Sequence, residues 1–374
     1  MGKRIQYLDL LKAIAIFLVV FCHFVLLSET VAANLFMSAC WMAVPIFFMV
    51  NGALLFSRPL DFKKHLKKTL SVYLVLSVWK LVYLLVIPPA TGANLNGVGV
   101  GTVLNYLFLF GEIPEIVNGH LWFIEALLAV YLIFPALRVA YACRSGAISG
   151  RRLTWYLAIA SLACTNGLHS LEVFGSMLRD LGLPFSLSFD SLAAFQPFGK
   201  YGNMLGFFLL GGLLSSSTGL GLKNGRAMLV SGSAKQRLVG AAMLLGGLFA
   251  LWGVKCYLSG QAAWDGILLQ EGYRHVPVIF MAVGLFMLCK DLKIKNRWAA
   301  AFVEALASRT LGIFYLHWVF GWLLVNPLAA FLVSHGIGFS VGANILKNIV
   351  LMVPAFLIIL LLERIPLVKR LVTG

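Results

Sequence analysis

The chain has 374 residues, 60% of them hydrophobic and only 12% charged, with a mean hydropathy of +0.91 and a formal net charge of +16. These values exclude a soluble globular protein, because runs of about 20 apolar residues recur at the length a bilayer core requires. They also exclude a separate soluble domain, since no stretch of about 100 residues lacks such a run, and one integral-membrane domain over 1–374 is expected.

Ten apolar spans are expected, at 8–28, 38–57, 69–88, 120–141, 153–171, 198–215, 238–256, 274–290, 306–326 and 344–363. The fold class is therefore all-α and polytopic, with about ten transmembrane helices. Loop charge sets the orientation. With the N-terminus in the cytoplasm, 22 Lys and Arg fall on inner segments, while the outer loops carry only Arg179, Lys200 and Arg274. The other five lie in or beside spans. Such asymmetry places both termini in the cytoplasm and accounts for the basic charge without nucleic acid, for which no motif is present. The six Cys have no metal-like spacing and read as reduced, packed thiols. Nothing resembles a nucleotide-binding glycine loop, so no ATP- or dinucleotide-driven step is indicated.

The first span carries Asp9, Lys12 and His23 in an otherwise apolar run. An ionisable group in hydrocarbon needs a partner, a wet cavity or a role. Lys12 and His23 are eleven residues apart, three turns plus roughly 20°, so they share a helix face about 16 Å apart along the axis. Asp9 is placed to pair with Lys12. His23 fits a general base or transient acyl acceptor, or equally a hydrogen-bonded structural residue. Lys12 either snorkels to the inner interface or contacts a phosphate.

Between the third and fourth spans, Thr102–Gly111 is apolar but too short to cross. The fourth span opens with Asn118-Gly119-His120-Leu121-Trp122, followed by Glu125. Asn118 reads as an N-cap and Trp122 as an interface anchor. Glu125 lies about one and a half turns deeper than His120. It is expected either to orient a His of another helix or to tie helices together. Residues 172–197 read as a lid or acceptor-binding loop. Gly211-Gly212 and Gly246-Gly247 read as close helix contacts. The ninth span opens with Arg309, which can reach a phosphate, and carries His317 near the midplane, structural or catalytic. Asn51, Lys80 and Lys255 are buried polar residues without an assigned role. His65 is expected to be solvated, and His169, His275 and His335 to lie at the interface.

In this order, these motifs resemble acyltransferase family 3, the ten-span bacterial membrane proteins that O-acylate surface polysaccharides. Leu8-Asp9-Leu10-Leu11-Lys12, with His23 after ten intervening residues, is similar to the family's N-terminal signature, although Lys12 stands where Arg is usual. His120-Leu121-Trp122-Phe123, continued by Tyr131 to Pro135, resembles its second motif, and Gly312 to His317 its late motif. The resemblance covers nearly the whole chain. It implies a multi-pass protein of the bacterial inner membrane, in contact with membrane lipids. The implied donor is cytoplasmic acyl-CoA, usually acetyl-CoA, acting as co-substrate with no bound cofactor and no metal. The implied acceptor is a hydroxyl of a surface glycan or lipid-linked sugar. By the same carry-over Lys12, with Asp9 and Arg309, falls on the donor side, and His23, with His120 and Glu125, at the reaction centre. Trp122 and His317 are further candidates. An exporter or flippase for a polysaccharide or its lipid carrier is the competing expectation, and a sensor or scaffold without turnover a third.

Overall fold

The computed structural model describes residues 5–23, 31–109, 111–116, 119–143, 148–183, 201–215, 220–223, 226–229, 233–259, 272–338 and 340–373. Asn118, expected as an N-cap, and residues 184–197 of the expected lid lie outside them. The helices are α1 (Gln6–Cys22), α2 (Val31–Cys40), α3 (Ala43–Phe56), α4 (Phe62–Thr91), α5 (Val100–Phe108), α6 (Trp122–Ala142), α7 (Gly150–Leu162), α8 (Leu168–Asp180) and α9 (Gly202–Ser215). They continue with α10 (Ala234–Ser259), α11 (Val276–Cys289), α12 (Arg297–Ala307), α13 (Thr310–Phe320), α14 (Asn326–Ser334), α15 (Val341–Leu362) and α16 (Pro366–Thr373). One short antiparallel hairpin, β1 (Leu220–Lys223) with β2 (Arg226–Leu229), interrupts this all-α chain.

Among the described residues, seven stretches of helix are long and apolar enough to cross a bilayer: Asn34–Phe56, Phe62–Thr91, Gly119–Ala142, Gly150–Asp180, Ala234–Leu258, Thr310–Ser334 and Gly342–Leu362. The protein is a multi-pass membrane protein. Of the other three expected spans, two fall on the shorter apolar helices α9 and α11, and the described part of the first falls on α1. Residues 172–180 are not loop, as expected, but the end of α8. Thr102–Gly111 largely forms the nine-residue α5, which packs on α4; Tyr73 Oη donates to the Phe108 carbonyl at 2.6 Å.

Local sequence explains the helix ends. Asp61 caps α4 by accepting from the Lys64 amide at 3.0 Å, and Gly92 ends it in the left-handed region at φ 69°. Ser149, Asn296 and Ser340 accept from the first-turn amides of α7, α12 and α15. Two long helical runs contain a π-turn, at Ala163–Gly167 between α7 and α8 and at Gly321–Val325 between α13 and α14.

The chain forms two compact units. The first comprises Met1–Ala15, Glu29–Leu60 and Ile133–Lys295. Small residues bring its helices together, as the paired glycines suggested. A Cβ at Gly52 would overlap the Phe208 carbonyl oxygen, one at Gly211 that of Met49, and one at Gly247 would lie 2.6 Å from that of Pro277. Gly246, by contrast, faces open space. The second unit comprises Ile16–Ser28, Asp61–Leu132 and Asn296–Gly374. There α13 packs on α4, α15 and α16. Trp79 stacks on Tyr315 at 4.9 Å and donates to the Leu371 carbonyl at 3.0 Å, which fixes α16 against α4.

Candidate active site

Three imidazoles meet in the second unit. His23 directly follows α1, His120 sits in the 3-10 turn Gly119–Leu121 that leads into α6, and His317 lies on α13. Ring centroids are 5.1 Å apart for His23 and His317, 5.4 Å for His120 and His317, and 6.3 Å for His23 and His120. Trp318 stacks on His120 at 4.5 Å and meets His23 edge-on at 5.2 Å, while Phe314 packs on His120 at 5.2 Å. His120 and His317 are buried, and His23 is half-buried.

Hydrogen-bond partners fix where the protons of the neutral rings sit. His317 Nδ1 lies 3.2 Å from the Ile313 carbonyl, which can only accept, so Nδ1 carries the hydrogen. Its Nε2 then accepts from His23 Nδ1 at 3.2 Å. The lone pair of a neutral His23 is therefore on Nε2. Likewise, Tyr83 Oη donates its one hydrogen to the Tyr315 carbonyl at 2.7 Å, so it accepts from His120 Nε2 at 3.1 Å. That leaves the His120 lone pair on Nδ1, which is buried without a hydrogen-bond partner. Two basic nitrogens thus belong to one cluster of aromatic rings. Among the described residues, no group of three His, Cys, Asp or Glu is arranged to hold a metal ion.

The remaining expected residues are placed as follows. Lys12 Nζ lies 3.8 Å from Asp9 Oδ1, one turn apart on α1 within the first unit. Glu125 meets no imidazole; it forms an ion pair with Lys80 at 2.8 Å. Lys80 is buried and also lies over the Tyr106 ring at 5.3 Å, which ties α4, α5 and α6 together. The orienting partner of His23 is His317. Arg309 donates to Glu363 at 2.7 Å and to the Ala305 carbonyl at 2.9 Å, and its buried Nε has no hydrogen-bond partner. Trp122 opens α6 half-buried.

Sequence reasoning missed Tyr83 and Trp318, and named Lys80 as buried without assigning it a role. Only Lys80 carried a signal, a charge inside an apolar run. Three histidines also differ from expectation. His65 is not merely solvated, since its Nε2 lies 2.8 Å from the Tyr131 carbonyl. His169 and His275 are buried in the first unit with rings 4.7 Å apart. There Asn166 Nδ2 donates to the Tyr273 and His275 carbonyls, and Asn203 Nδ2 also donates to that of Tyr273.

A family model for the acyltransferase domain, acyltransferase family 3, matches residues 5–364 of the chain. No curated protein and no solved structure matches it.

Proposed function

The chain belongs to acyltransferase family 3 and is a membrane acyltransferase; we propose that it moves an acyl group, acetyl in the first instance, from cytoplasmic acyl-CoA to a hydroxyl of a surface or lipid-linked glycan at a bacterial inner membrane. The observation that carries this reading is the 3.2 Å bond between His317 Nε2 and His23 Nδ1, with His317 itself held by the Ile313 carbonyl. It is a base-and-orienter arrangement.

In the proposed step the acceptor hydroxyl oxygen attacks the thioester carbonyl carbon, and His23 Nε2 takes the hydroxyl proton. The C–S bond breaks as the ester forms. The departing thiolate takes the proton back from His23 and leaves as the CoA thiol. While His23 is cationic, its Nδ1–H donates a charge-assisted bond to His317, which favours the state that develops during attack. His120 Nδ1 accepts a hydrogen bond from a ligand N–H or O–H and so orients one of the two substrates. Glu125, held by Lys80, stands on the acceptor side.

Of the donor-side candidates, Lys12, steadied by Asp9, belongs to the first unit and the Nε–H of Arg309 to the second, and each is suited to a phosphate. The extended arm of an acyl-CoA is of the order of the roughly 16 Å that separates Lys12 from His23 along a helix. A thioester is already activated, so positioning and a base suffice.

The test uses membranes or purified protein supplied with isotopically labelled acetyl-CoA and lipid-linked glycan. Release of CoA thiol matched by O-acetyl ester on the glycan, read by mass spectrometry, is the expected result. Movement of unmodified glycan across the membrane with no thiol release would overturn it in favour of an exporter.

A further inference from the structure

The outer part of α15 holds a buried cation that the acyl-transfer chemistry does not use. Between Val341 and Leu362, Lys347 is the one ionisable residue. The helix has two distinct faces. Ile345, Leu346, Ile349, Val353, Leu357 and Leu361 are exposed and form an apolar stripe suited to lipid. Asn344, Lys347, Asn348, Leu351, Ala355 and Ile359 are buried and face protein. Lys347 is only 2% exposed, and its Nζ has no hydrogen-bond partner. Asn348 Oδ1, on the same face, is also buried without one.

Snorkelling does not account for this lysine. A snorkelled side chain keeps its ammonium in water along an apolar stem. Lys347 lies on the protein-facing stripe, about 9 Å into the helix, with its amine enclosed. A buried, unpaired ammonium is a costly feature, and an unpaired acceptor beside it adds to the cost. Both are relieved by one kind of ligand, which brings an anion for Nζ and a hydroxyl donor for Asn348 Oδ1.

We propose that Lys347 and Asn348 form a binding site for a lipid-linked glycosyl phosphate, with the phosphate on Lys347 and a sugar hydroxyl on Asn348. The site rests on the acyltransferase reading for its biological ligand, because it supplies that reaction with an acceptor held on a lipid phosphate. Lysine suits the task, since it binds phosphate as a point charge and tolerates either a monoester or a diester.

The test measures the thermal midpoint of the full chain, purified in a neutral maltoside detergent, with added dodecyl phosphate, dodecanol or inorganic phosphate. Dodecyl phosphate is expected to raise the midpoint of the wild type by several degrees and dodecanol to leave it unchanged. Lys347→Met is expected to be at least as stable as wild type without ligand, because an unpaired buried charge is removed, and to lose the response. Lys347→Arg is expected to keep it. A response retained in Lys347→Met, or reproduced by dodecanol, overturns the site. A Lys347-dependent response to inorganic phosphate at the same concentration supports the anion site and sources it from soluble phosphate. Acyl-CoA thioester cleavage by the same preparations separates the two readings. An active preparation without a Lys347-dependent response sinks the site and leaves acyl transfer standing. A responding preparation without thioester cleavage keeps the site and counts against acyl transfer.

Discussion

Each unit of the protein holds a cluster of imidazoles, two rings in the first and three in the second, and the two clusters are bonded differently. In the first unit, around His169 and His275, the neighbouring amides of Asn166 and Asn203 donate to the backbone carbonyls of the turn that starts α11. In the second, His23 and His120 bond to side chains, His317 and Tyr83, which are themselves held by carbonyls. In the first arrangement the asparagine amides fix backbone, and the buried His169 Nε2 has no hydrogen-bond partner. In the second, two of the three rings bond to each other and the third to a tyrosine hydroxyl. Burial alone does not distinguish the two clusters; bonds between side chains occur in the second.

The largest expected effect breaks or upholds this comparison directly. His23→Gln can still hydrogen-bond but is no base near neutral pH, so turnover should fall by about 10²–10⁴ with the thermal midpoint unmoved. His169→Gln should leave turnover per folded molecule unaltered. Acyl-transfer rates for both, alongside melting curves, decide the matter; turnover of His23→Gln within about tenfold of wild type would remove the base.

The next effect concerns the polar tie inside the second unit. Lys80→Met strands Glu125 and should destabilise the protein by about 3 kcal/mol, the low end for a broken buried pair because Glu125 is partly open. Replacing both, Lys80→Met with Glu125→Leu, should recover much of that loss in a denaturation series. A strictly additive double variant would show that the pair is not coupled.

A smaller loss, about 1–3 kcal/mol, is expected for Asn166→Ala, which leaves two buried carbonyls short of a donor. Its turnover per folded molecule should match wild type, and a turnover defect without destabilisation would erase the contrast between the two clusters. The smallest expected effect is on the donor side. Lys12→Met should raise the apparent KM for acyl-CoA about tenfold, equivalent to 1.4 kcal/mol, while Lys12→Arg keeps affinity. Equal KM values in the two variants would discard the phosphate contact.

Much of this was legible in the sequence where the cause is local. The helix Gln6–Cys22, the Asp9–Lys12 pair one turn apart and the close glycines at Gly211 and Gly212 follow from spacing along one element. Contacts between distant segments were not. His317 and His23 are 294 positions apart, and nothing local marks the ring that orients the other. Glu125 was read either as orienting an imidazole or as tying helices together, and the tie is what is found, because a charge in low dielectric favours an opposite charge and Lys80 supplies it. Lys80 and Lys347 are two of the five basic residues left over once inner and outer loops are counted. That remainder was the sequence's best pointer to buried cations, although it did not say which would be neutralised.

The π-turn at Gly321–Val325 bears on how this chain compares with its relatives. A π-turn is an α-helix with one residue too many, an insertion absorbed without breaking the rod. Alignment of Thr310–Ser334 with a relative that lacks the surplus residue needs a gap there, although no loop is present. Deleting one residue between Gly321 and Val325 would restore the ordinary ladder, leave His317 and Trp318 upstream in register, and swing Asn326–Ser334 by about 100°. The helix therefore has one point where a residue can be gained or lost without breaking the rod, upstream of which His317 and Trp318 keep their register.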